Sequence, residues 1–217
     1  MWGAAEMIPT QEEMRSALAE RHGAALQARF DAGRVAVCGL GGLGSNVAIA
    51  LARAGVGQLH LIDFDRVDLT NLNRQQYTVD QLGRYKTEAL AETLGRIAPY
   101  CTLRMDTVKV TEDNLPALLA EDDIICEAFD VPEAKAMLVS GVLEDFPEKY
   151  LVAASGMAGL GSANAIRTRR AFGRLYLCGD EASDVSDGLG LVSARVAVCA
   201  AHQANMILRL LAGETEP

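Results

Sequence analysis

Aromatic residues are scarce in this sequence, and its cysteines form no recognisable motif. Phe, Trp and Tyr make up 5% of the 217 residues, whereas hydrophobic residues make up 50%. A sizeable core is therefore expected, filled mainly by Ala, Val, Leu and Ile. The five cysteines include no C-x-x-C pair, which argues against a disulfide framework and against a zinc site. We predict small buried side chains at Cys38, Cys101, Cys126 and Cys199.

Positive charge is also in short supply. The chain has 20 Lys and Arg against 29 Asp and Glu, which gives a formal net charge of −9. This balance argues against a general binder of nucleic acid or of anionic membranes. No run approaches the ~18–20 apolar residues of a membrane span. Residues 1–11 lack the positive region of a secretory signal, so we expect a cytoplasmic protein.

An N-terminal helical segment precedes alternating strand and helix patterns. Residues 1–30 contain a possible capping box, Thr10 with Glu13, and apolar residues at helical spacing. Residues 31–217 are predicted to form one α/β domain, with a doubly wound, Rossmann-like and mainly parallel sheet. Its predicted strands are Arg34–Cys38, Gln58–Asp63, Thr102–Val110, Asp123–Glu127 and Tyr150–Ala154, and its predicted helices are Ser45–Ala54, Asp80–Ile97, Leu115–Ala120 and Pro132–Leu143.

The pattern changes after residue 155. Two strands, Ala163–Arg169 and Arg174–Cys178, follow each other without a helix between them, so we predict antiparallel additions to the sheet. The acidic segment Asp180–Gly190 is predicted to be irregular. Leu191–Leu211 is predicted to be one long helix that is apolar on most faces. A second copy of the chain is the natural cover for such a helix, so we expect a homodimer.

A glycine-rich loop follows the first predicted strand. Gly39, Gly41 and Gly44 occupy the positions of a G-x-G-x-x-G pattern, which lets a backbone approach a phosphate at a helix N-terminus. Asp63 lies at the end of the second strand, 19 residues after Gly44, where an acidic side chain can accept hydrogen bonds from a ribose. Dehydrogenases and flavoproteins share this loop, so an NAD-dependent oxidoreductase is an alternative.

The residues after the second strand favour ATP. Asp65 is followed by the run Asn71–Gln75, and a nicotinamide site rarely has Asn, Arg and Gln together there. Arg74 and Lys86 would supply fixed positive charge for a triphosphate. Asp130 follows the fourth strand, where a carboxylate could hold Mg²⁺. Two alternatives remain: Lys86 as an exposed helix lysine, and Asp130 as the N-cap of the next helix.

These residues resemble a known family. The segment Leu61–Gln75, behind Gly39–Ser45, closely resembles the ThiF/MoeB group of adenylyltransferases, the bacterial relatives of ubiquitin-activating enzymes. The resemblance extends from about Arg34 to Ala158, and the D-x-D and N-L-x-R-Q elements are its most specific part. The segments Ala153–Gly159 and Ala200–Asn205 resemble the short ThiF subfamily linked to thiamine biosynthesis.

The resemblance implies an activity. The C-terminal glycine carboxylate of a small ubiquitin-like sulfur carrier protein would attack the α-phosphate of ATP, giving an acyl-adenylate and pyrophosphate. No protein nucleophile is needed, because the protein supplies position and electrostatic stabilisation. The resemblance assigns the nucleotide backbone to Gly39, Gly41, Gly42 and Gly44, the ribose to Asp63, the phosphates to Asn71, Arg74, Gln75 and Lys86, and Mg²⁺ to Asp130.

The family also tends to place an arginine of the partner subunit at the site. Arg21 is the preferred candidate for that role, and Arg15 is the alternative. Cys178 is a candidate for sulfur handling, with a packed thiol as the alternative, because the neighbouring Asp180 and Glu181 would disfavour a thiolate. His202 is expected to be a core or interface residue.

Two departures and several rival functions remain. Many relatives carry two C-x-x-C zinc pairs, which this chain lacks, and many have Asn where Val131 follows Asp130. The adenylated carboxylate could instead belong to a molybdopterin-synthase carrier, a peptide or a tRNA-linked group. A catalytically silent interaction subunit is a further alternative, although the combination of Arg74, Lys86 and Asp130 argues against it.

Overall fold

One seven-stranded sheet organises the computed structural model, which describes residues 8–217. Its strand order is β3-β2-β1-β4-β5-β7-β6. The strands are β1 (Arg34–Cys38), β2 (Gln58–Ile62), β3 (Thr102–Asp106), β4 (Ile124–Glu127), β5 (Tyr150–Ala154), β6 (Arg167–Phe172) and β7 (Leu175–Gly179). The helices are α1 (Gln11–His22), α2 (Ala24–Ala32), α3 (Gly42–Arg53), α4 (Lys86–Ile97), α5 (Leu115–Leu118), α6 (Pro132–Asp145) and α7 (Ser193–Leu211).

The predicted fold class is confirmed. Strands β1 to β5 and β7 all run parallel to one another. Strand β6 is the exception, because it pairs antiparallel with β7. The two late strands are thus antiparallel to each other, but β7 itself runs parallel to β5. The reason is the segment 155–166, which carries the chain past the β7 position, so that β6 forms the sheet edge and β7 fills the gap.

Two hydrophobic clusters cover the two faces of the sheet. One contains side chains of α3, α4 and α7, and the other contains side chains of α5 and α6. The central strand β1 contributes Val35 and Val37 to the first cluster and Ala36 and Cys38 to the second, all with 0% exposure. A central parallel strand is covered on both faces, which explains its continuous apolar sequence.

Several element boundaries differ from the sequence prediction. The helix predicted from Asp80 begins at Lys86, because Val79–Gln81 forms only a 3-10 turn and Gly83 then adopts a positive φ of 79°. The strand predicted over Ala163–Arg169 begins at Arg167, because Ala163–Ala165 is also a 3-10 turn. The strand predicted to continue to Val110 ends at Asp106.

The N-terminal segment lies at the amino end of the sheet. The Thr10–Glu13 capping box is present, and Gly23 separates α1 from α2. A Cβ placed on Gly55, just before β2, would lie 2.7 Å from Leu18 of α1. Within α1, every residue of which the structure describes, none is buried. Residues 1–7 of the predicted segment lie outside the described residues, and the boundary at residue 30 remains a prediction.

The apolar side chains of α7 pack within their own chain. Val196, Met206 and Ile207 are at most 2% exposed, and the helix lies along α3. Our reason for expecting a second subunit over α7 was therefore wrong, because α3 and the sheet already cover its apolar residues. None of the helices described for residues 8–217 combines the length and apolar character that crossing a membrane requires.

The cysteines are free thiols. Cys38, Cys126, Cys178 and Cys199 are buried, and Cys101 is partly buried. Burial raises the pKa of the Cys178 thiol to about 11, although the Thr168 hydroxyl acts in the opposite direction. The structure therefore supports the interpretation of Cys178 as a packed thiol.

Candidate nucleotide-binding site

The glycine loop lies at the carboxyl edge of the sheet, where the strand order reverses. It follows β1, which pairs with β2 on one side and with β4 on the other. Such a point is where open α/β sheets bind ligands. Gly39 has a φ of 90°, and a Cβ on Gly44 would lie 1.8 Å from the Gly39 carbonyl oxygen. Glycine is therefore a steric requirement at both positions.

The N-terminus of α3 lies against the side chains of Arg74 and Gln75. The N-cap, Gly41, offers no side chain to the first-turn N–H groups. A Cβ on Gly41 would have Gln75 Nε2 as its nearest neighbour at 3.7 Å, and one on Gly42 would lie 3.2 Å from Arg74 Cγ. A helix N-terminus favours an anion through its N–H groups and its dipole. The backbone thus offers a candidate phosphate site bordered by the side chain of Arg74.

Asp63 links the end of β2 to the glycine loop. Its Oδ2 accepts a hydrogen bond from Leu40 N at 2.7 Å, and its Oδ1 accepts one from Asp65 N at 2.8 Å. Burial raises the pKa of this carboxyl, against the lowering effect of Lys86 and of both N–H donors. Each carboxylate oxygen can accept a second hydrogen bond. Asp63 can therefore hold the loop and still accept a bond from a ribose hydroxyl.

Lys86 is buried at the start of α4. It is 5% exposed, so the alternative of an exposed helix lysine was wrong. Its Nζ lies 2.8 Å from Asp65 Oδ2 and 3.8 Å from Asp63 Oδ2. A buried ammonium needs such partners. The two carboxylates place the lysine beside the end of β2, as the sequence predicted.

The run that follows β2 is folded into a short turn. Asp68 caps a 3-10 turn at Leu69–Asn71, and the Asn71 carbonyl accepts hydrogen bonds from the N–H groups of Arg74 and Gln75. Asn71 thus shapes the run through its backbone. The turn brings Arg74 and Gln75 against the glycine loop.

Arg74 and Gln75 each have an unused polar function. The Arg74 guanidinium donates to Asn73 Oδ1 and Thr70 O, but it pairs with no carboxylate within residues 8–217. Gln75 is buried, and its Oε1 has no hydrogen-bond partner among the described residues. An uncompensated cation and a buried acceptor without a partner, both beside the loop, fit a bound nucleotide.

Asp130 is exposed in the loop between β4 and α6. The N-cap of α6 is Val131, and no side chain caps this helix, so the capping alternative for Asp130 was wrong. The carboxylate makes no hydrogen bond with any other residue of the described chain. Mg²⁺ is commonly bound by one or two carboxylates together with substrate phosphates. A single exposed carboxylate at the carboxyl edge of the sheet fits that arrangement.

Sequence reasoning missed Arg195, a buried arginine at the start of α7. Its Nε donates to Ala158 O at 3.1 Å, and its Nη1 donates to Gly161 O and Ser162 O at 2.6 and 2.7 Å. Its Nη2 pairs with Asp180. The segments 156–162 and 180–190, which follow β5 and β7, are thereby joined at the carboxyl edge. An arginine among the apolar residues 194–201 of this helix was the signal available in the sequence.

Asp180 anchors the second of these segments. Burial would raise the pKa of its carboxyl, but hydrogen bonds from Ser183 and Ala182 and the contact with Arg195 outweigh burial and lower it to about 2. The following segment reaches the turn after β2, because Asn73 Nδ2 donates to Leu191 O at 3.1 Å. The C-terminal part of the chain therefore forms one wall of the candidate site.

The structure does not bring Arg21 to this site. Arg21 is exposed at the end of α1, at the amino end of the sheet, whereas the glycine loop lies at the carboxyl end. Arg15, the alternative, pairs with Asp31 of α2. Any contact of Arg21 with a nucleotide would therefore require another subunit.

The family model that matches this chain is that of the ThiF family, over residues 14–217. The chain is 36% identical over 115 residues to the tRNA threonylcarbamoyladenosine dehydratase of Haemophilus influenzae, and 38% identical over 109 residues to the molybdopterin-synthase adenylyltransferase of Salmonella typhimurium. These alignments cover 52% and 50% of this chain and 44% of each relative. The match thus spans less than half the length of these curated relatives.

A solved structure shows the same fold along the chain. The E. coli tRNA N6-threonylcarbamoyladenosine dehydratase in complex with ATP superposes with a TM-score of 0.84, covering 95% of this chain and 98% of that one. The two sequences are 23% identical. The match confirms the mainly parallel sheet with its antiparallel pair.

Proposed function

Because the chain belongs to the ThiF family, we propose that it activates a carboxylate by transferring AMP to it from ATP. The observation that carries this proposal is Arg74, whose aliphatic side chain lies against Gly42 at the start of α3 and whose guanidinium has no carboxylate partner within residues 8–217. An NAD site needs only to hold a diphosphate, whereas a triphosphate calls for additional fixed positive charge. The hypothesis of an ATP-dependent adenylation is therefore favoured over the alternative of an NAD-dependent oxidoreductase.

In the proposed reaction, a carboxylate oxygen attacks the α-phosphorus of ATP. The new bond joins that oxygen to phosphorus, the bond to the β-phosphate oxygen breaks, and pyrophosphate leaves with the electron pair. Arg74, Lys86 and the first turn of α3 would hold phosphate oxygens, and Asp63 would accept a ribose hydroxyl. Asp130 would hold Mg²⁺, which would supply charge neutralisation. The contribution of the protein is position and electrostatic stabilisation.

The proposed substrate is the C-terminal glycine carboxylate of a small ubiquitin-like sulfur carrier protein, in thiamine thiazole biosynthesis. Support comes from the resemblance of Ala153–Gly159 and Ala200–Asn205 to the short ThiF subfamily. Residues Gly156–Gly159 open the segment that Arg195 holds at the carboxyl edge. An extended C-terminal tail could lie along this segment with its carboxylate directed at the phosphates.

A tRNA-linked carboxylate is the second candidate. The observation in its favour is the similarity to the tRNA threonylcarbamoyladenosine dehydratase of Haemophilus influenzae. The net charge of −9 weighs against it, because tRNA binding depends on positive surface charge. Pyrophosphate release stimulated by a glycine-terminated carrier, and not by tRNA, would decide for the first candidate. The opposite result would decide for the second.

Thermal denaturation tests the choice of nucleotide. We expect ATP with Mg²⁺ to raise the melting temperature, because a ligand that binds only the folded state stabilises it, and we expect NAD to have no effect. Arg74→Ala should weaken the shift. Arg53→Ala, an exposed arginine at the other end of α3, is the matched control and should keep it. A shift with NAD and none with Mg²⁺-ATP would refute the adenylation proposal.

The proposal includes a homodimer in which Arg21 reaches the nucleotide of the partner subunit. Its support is the resemblance to the family, which tends to place an arginine of the partner subunit at the site, and Arg21 is exposed and free to reach a partner. Mixing an Arg74→Ala chain with an Arg21→Ala chain should restore part of the activity, because one site of each mixed dimer is then complete.

The matched control for this experiment mixes Arg74→Ala with Asp130→Ala. Both lesions lie in the site of their own chain, so no mixed dimer contains an intact site and activity should stay low. Absence of recovery in the first mixture, with subunit exchange confirmed, would exclude a role for Arg21 across the dimer. A monomer at assay concentration would exclude the dimer itself.

A further inference from the structure

An ion pair between the fully buried Glu127 and the partly exposed Lys135 flanks the loop that carries Asp130. Glu127, the last residue of β4, is 0% exposed, and Lys135 lies in the first turns of α6. The Lys135 Nζ lies 2.9 Å from Glu127 Oε1 and 2.8 Å from Oε2. The same Nζ donates to Phe129 O at 3.1 Å, and Phe129 N donates to Glu127 Oε1 at 2.8 Å. Both backbone polar groups of the residue before Asp130 are therefore held.

The loop that carries Asp130 also packs against the glycine loop. Ala128 N donates to Cys38 O at 2.9 Å, which continues the pairing of β4 with β1. A Cβ on Gly39 would lie 2.8 Å from Ala128 O and 2.9 Å from Phe129 Cδ1. The first glycine of the nucleotide loop and the two residues before Asp130 are thus in direct contact. Asp130 itself has an exposed side chain, so its position depends on this backbone.

A gain in folding stability is a poor explanation for the Glu127–Lys135 ion pair. Burying the Glu127 carboxylate costs desolvation energy, and well-packed apolar residues in place of a buried ion pair are often neutral or stabilising. The pair does, however, fix a backbone position, because a single ammonium bridges the carboxylate and the Phe129 carbonyl. Mg²⁺ demands near-ideal octahedral geometry, so the placement of a carboxylate ligand has to be accurate.

We propose that Glu127 and Lys135 are positioning residues that set the Asp130 carboxylate at the distance from the phosphates that a bridging Mg²⁺ requires. This proposal rests on the proposed function and concerns the same site. Partners that orient a metal ligand, without touching the metal, typically change metal affinity by about 10–100-fold when they are replaced. The pair is expected to act through Asp130 and not through the nucleotide.

The test uses the neutral pair Glu127→Gln with Lys135→Met, which avoids a buried unpaired charge and should fold. The readout is the Mg²⁺ concentration that gives half of the metal-dependent rise in melting temperature at saturating ATP. We expect it to increase about tenfold, with the shift given by ATP alone unchanged. The single variant Lys135→Arg, which keeps the charge and the Glu127 partner, should retain most of the Mg²⁺ affinity.

Lys149→Met is the matched control. Lys149 also uses its ammonium to hold a loop, donating to Leu119 O and Ala120 O, but that loop precedes β4 at the opposite end of the sheet. This variant should lower stability and leave the Mg²⁺ requirement unchanged. If Lys149→Met and the neutral pair raised the requirement equally, the positioning role would be wrong.

A double-mutant cycle with Asp130→Ala separates the possibilities. If the pair acts through Asp130, adding the neutral pair to Asp130→Ala should cause no further loss of Mg²⁺ affinity. A further loss of about tenfold would overturn the proposal, because the pair would then act by another route. Asp130→Ala alone reports on the proposed function: an unchanged Mg²⁺ requirement in that single variant would show that the magnesium assignment itself had failed.

Discussion

Arg74→Ala and Asp130→Ala should each lower carrier-dependent ATP–pyrophosphate exchange by roughly 10²-fold or more, the usual loss for one group that stabilises transition-state charge. Arg74 is the guanidinium without a carboxylate partner beside α3, and Asp130 is the exposed carboxylate after β4. Both variants should fold, because the first loses two hydrogen bonds and the second loses none within the described chain. The measurement is exchange of labelled pyrophosphate into ATP with a panel of glycine-terminated carriers.

The controls for this pair of variants are Arg96→Ala and Asp113→Ala. Arg96 is exposed on α4 and pairs with Glu92, and Asp113 is exposed before α5. Surface substitutions of this kind usually change stability by less than about 0.5 kcal/mol. Exchange close to wild type in both Arg74→Ala and Asp130→Ala would mean that these residues have structural roles only.

Gly44→Ala should destabilise the fold by on the order of 3 kcal/mol, the scale of a steric conflict between fixed backbone groups. The added Cβ would lie 1.8 Å from the Gly39 carbonyl oxygen and 2.9 Å from the Gly39 carbonyl carbon. Neither atom belongs to a flexible side chain, so either the turn after β1 or the start of α3 must move. Urea unfolding followed by circular dichroism gives the change in the free energy of unfolding.

Gly95→Ala is the matched substitution. Gly95 lies near the end of α4, and a Cβ there would meet nothing within 4 Å. Within a helix, alanine is more favourable than glycine by roughly 0.5–1 kcal/mol. The free energy of unfolding of this variant should therefore be higher than that of the wild type. Equal stability of Gly44→Ala and wild type would show that the glycine loop can open without cost, contrary to the packing seen here.

The position of the site at the carboxyl edge of the sheet could be predicted, because the sequence signals for the strands are local. β1 and β5 have the predicted bounds, since each is a short apolar run between clear breaks. A parallel sheet then brings the residues that follow β1, β2 and β4 to one edge. That rule alone predicts that Gly39, Asp63 and Asp130 lie at the same edge.

The pairings could not be predicted because they join residues far apart in the chain. Nothing local to Lys86 shows that Asp63 and Asp65 bury its ammonium, and a lysine in a helix is usually exposed. Arg195 likewise meets its carbonyl partners across the sheet edge. Such contacts depend on which loops the completed fold brings together, and one sequence does not contain that information.

The wall formed by α7 also has a consequence for the order in which the site is made during translation. The glycine loop and the turn at Arg74 belong to the first 75 residues of the chain, but Val196 borders Gly42, and Leu191 accepts the hydrogen bond from Asn73. A ribosome delivers these late residues only after the sheet strands have been synthesised. The nascent chain therefore exposes an incomplete candidate site until α7 emerges, and release of α7 is the step that completes it.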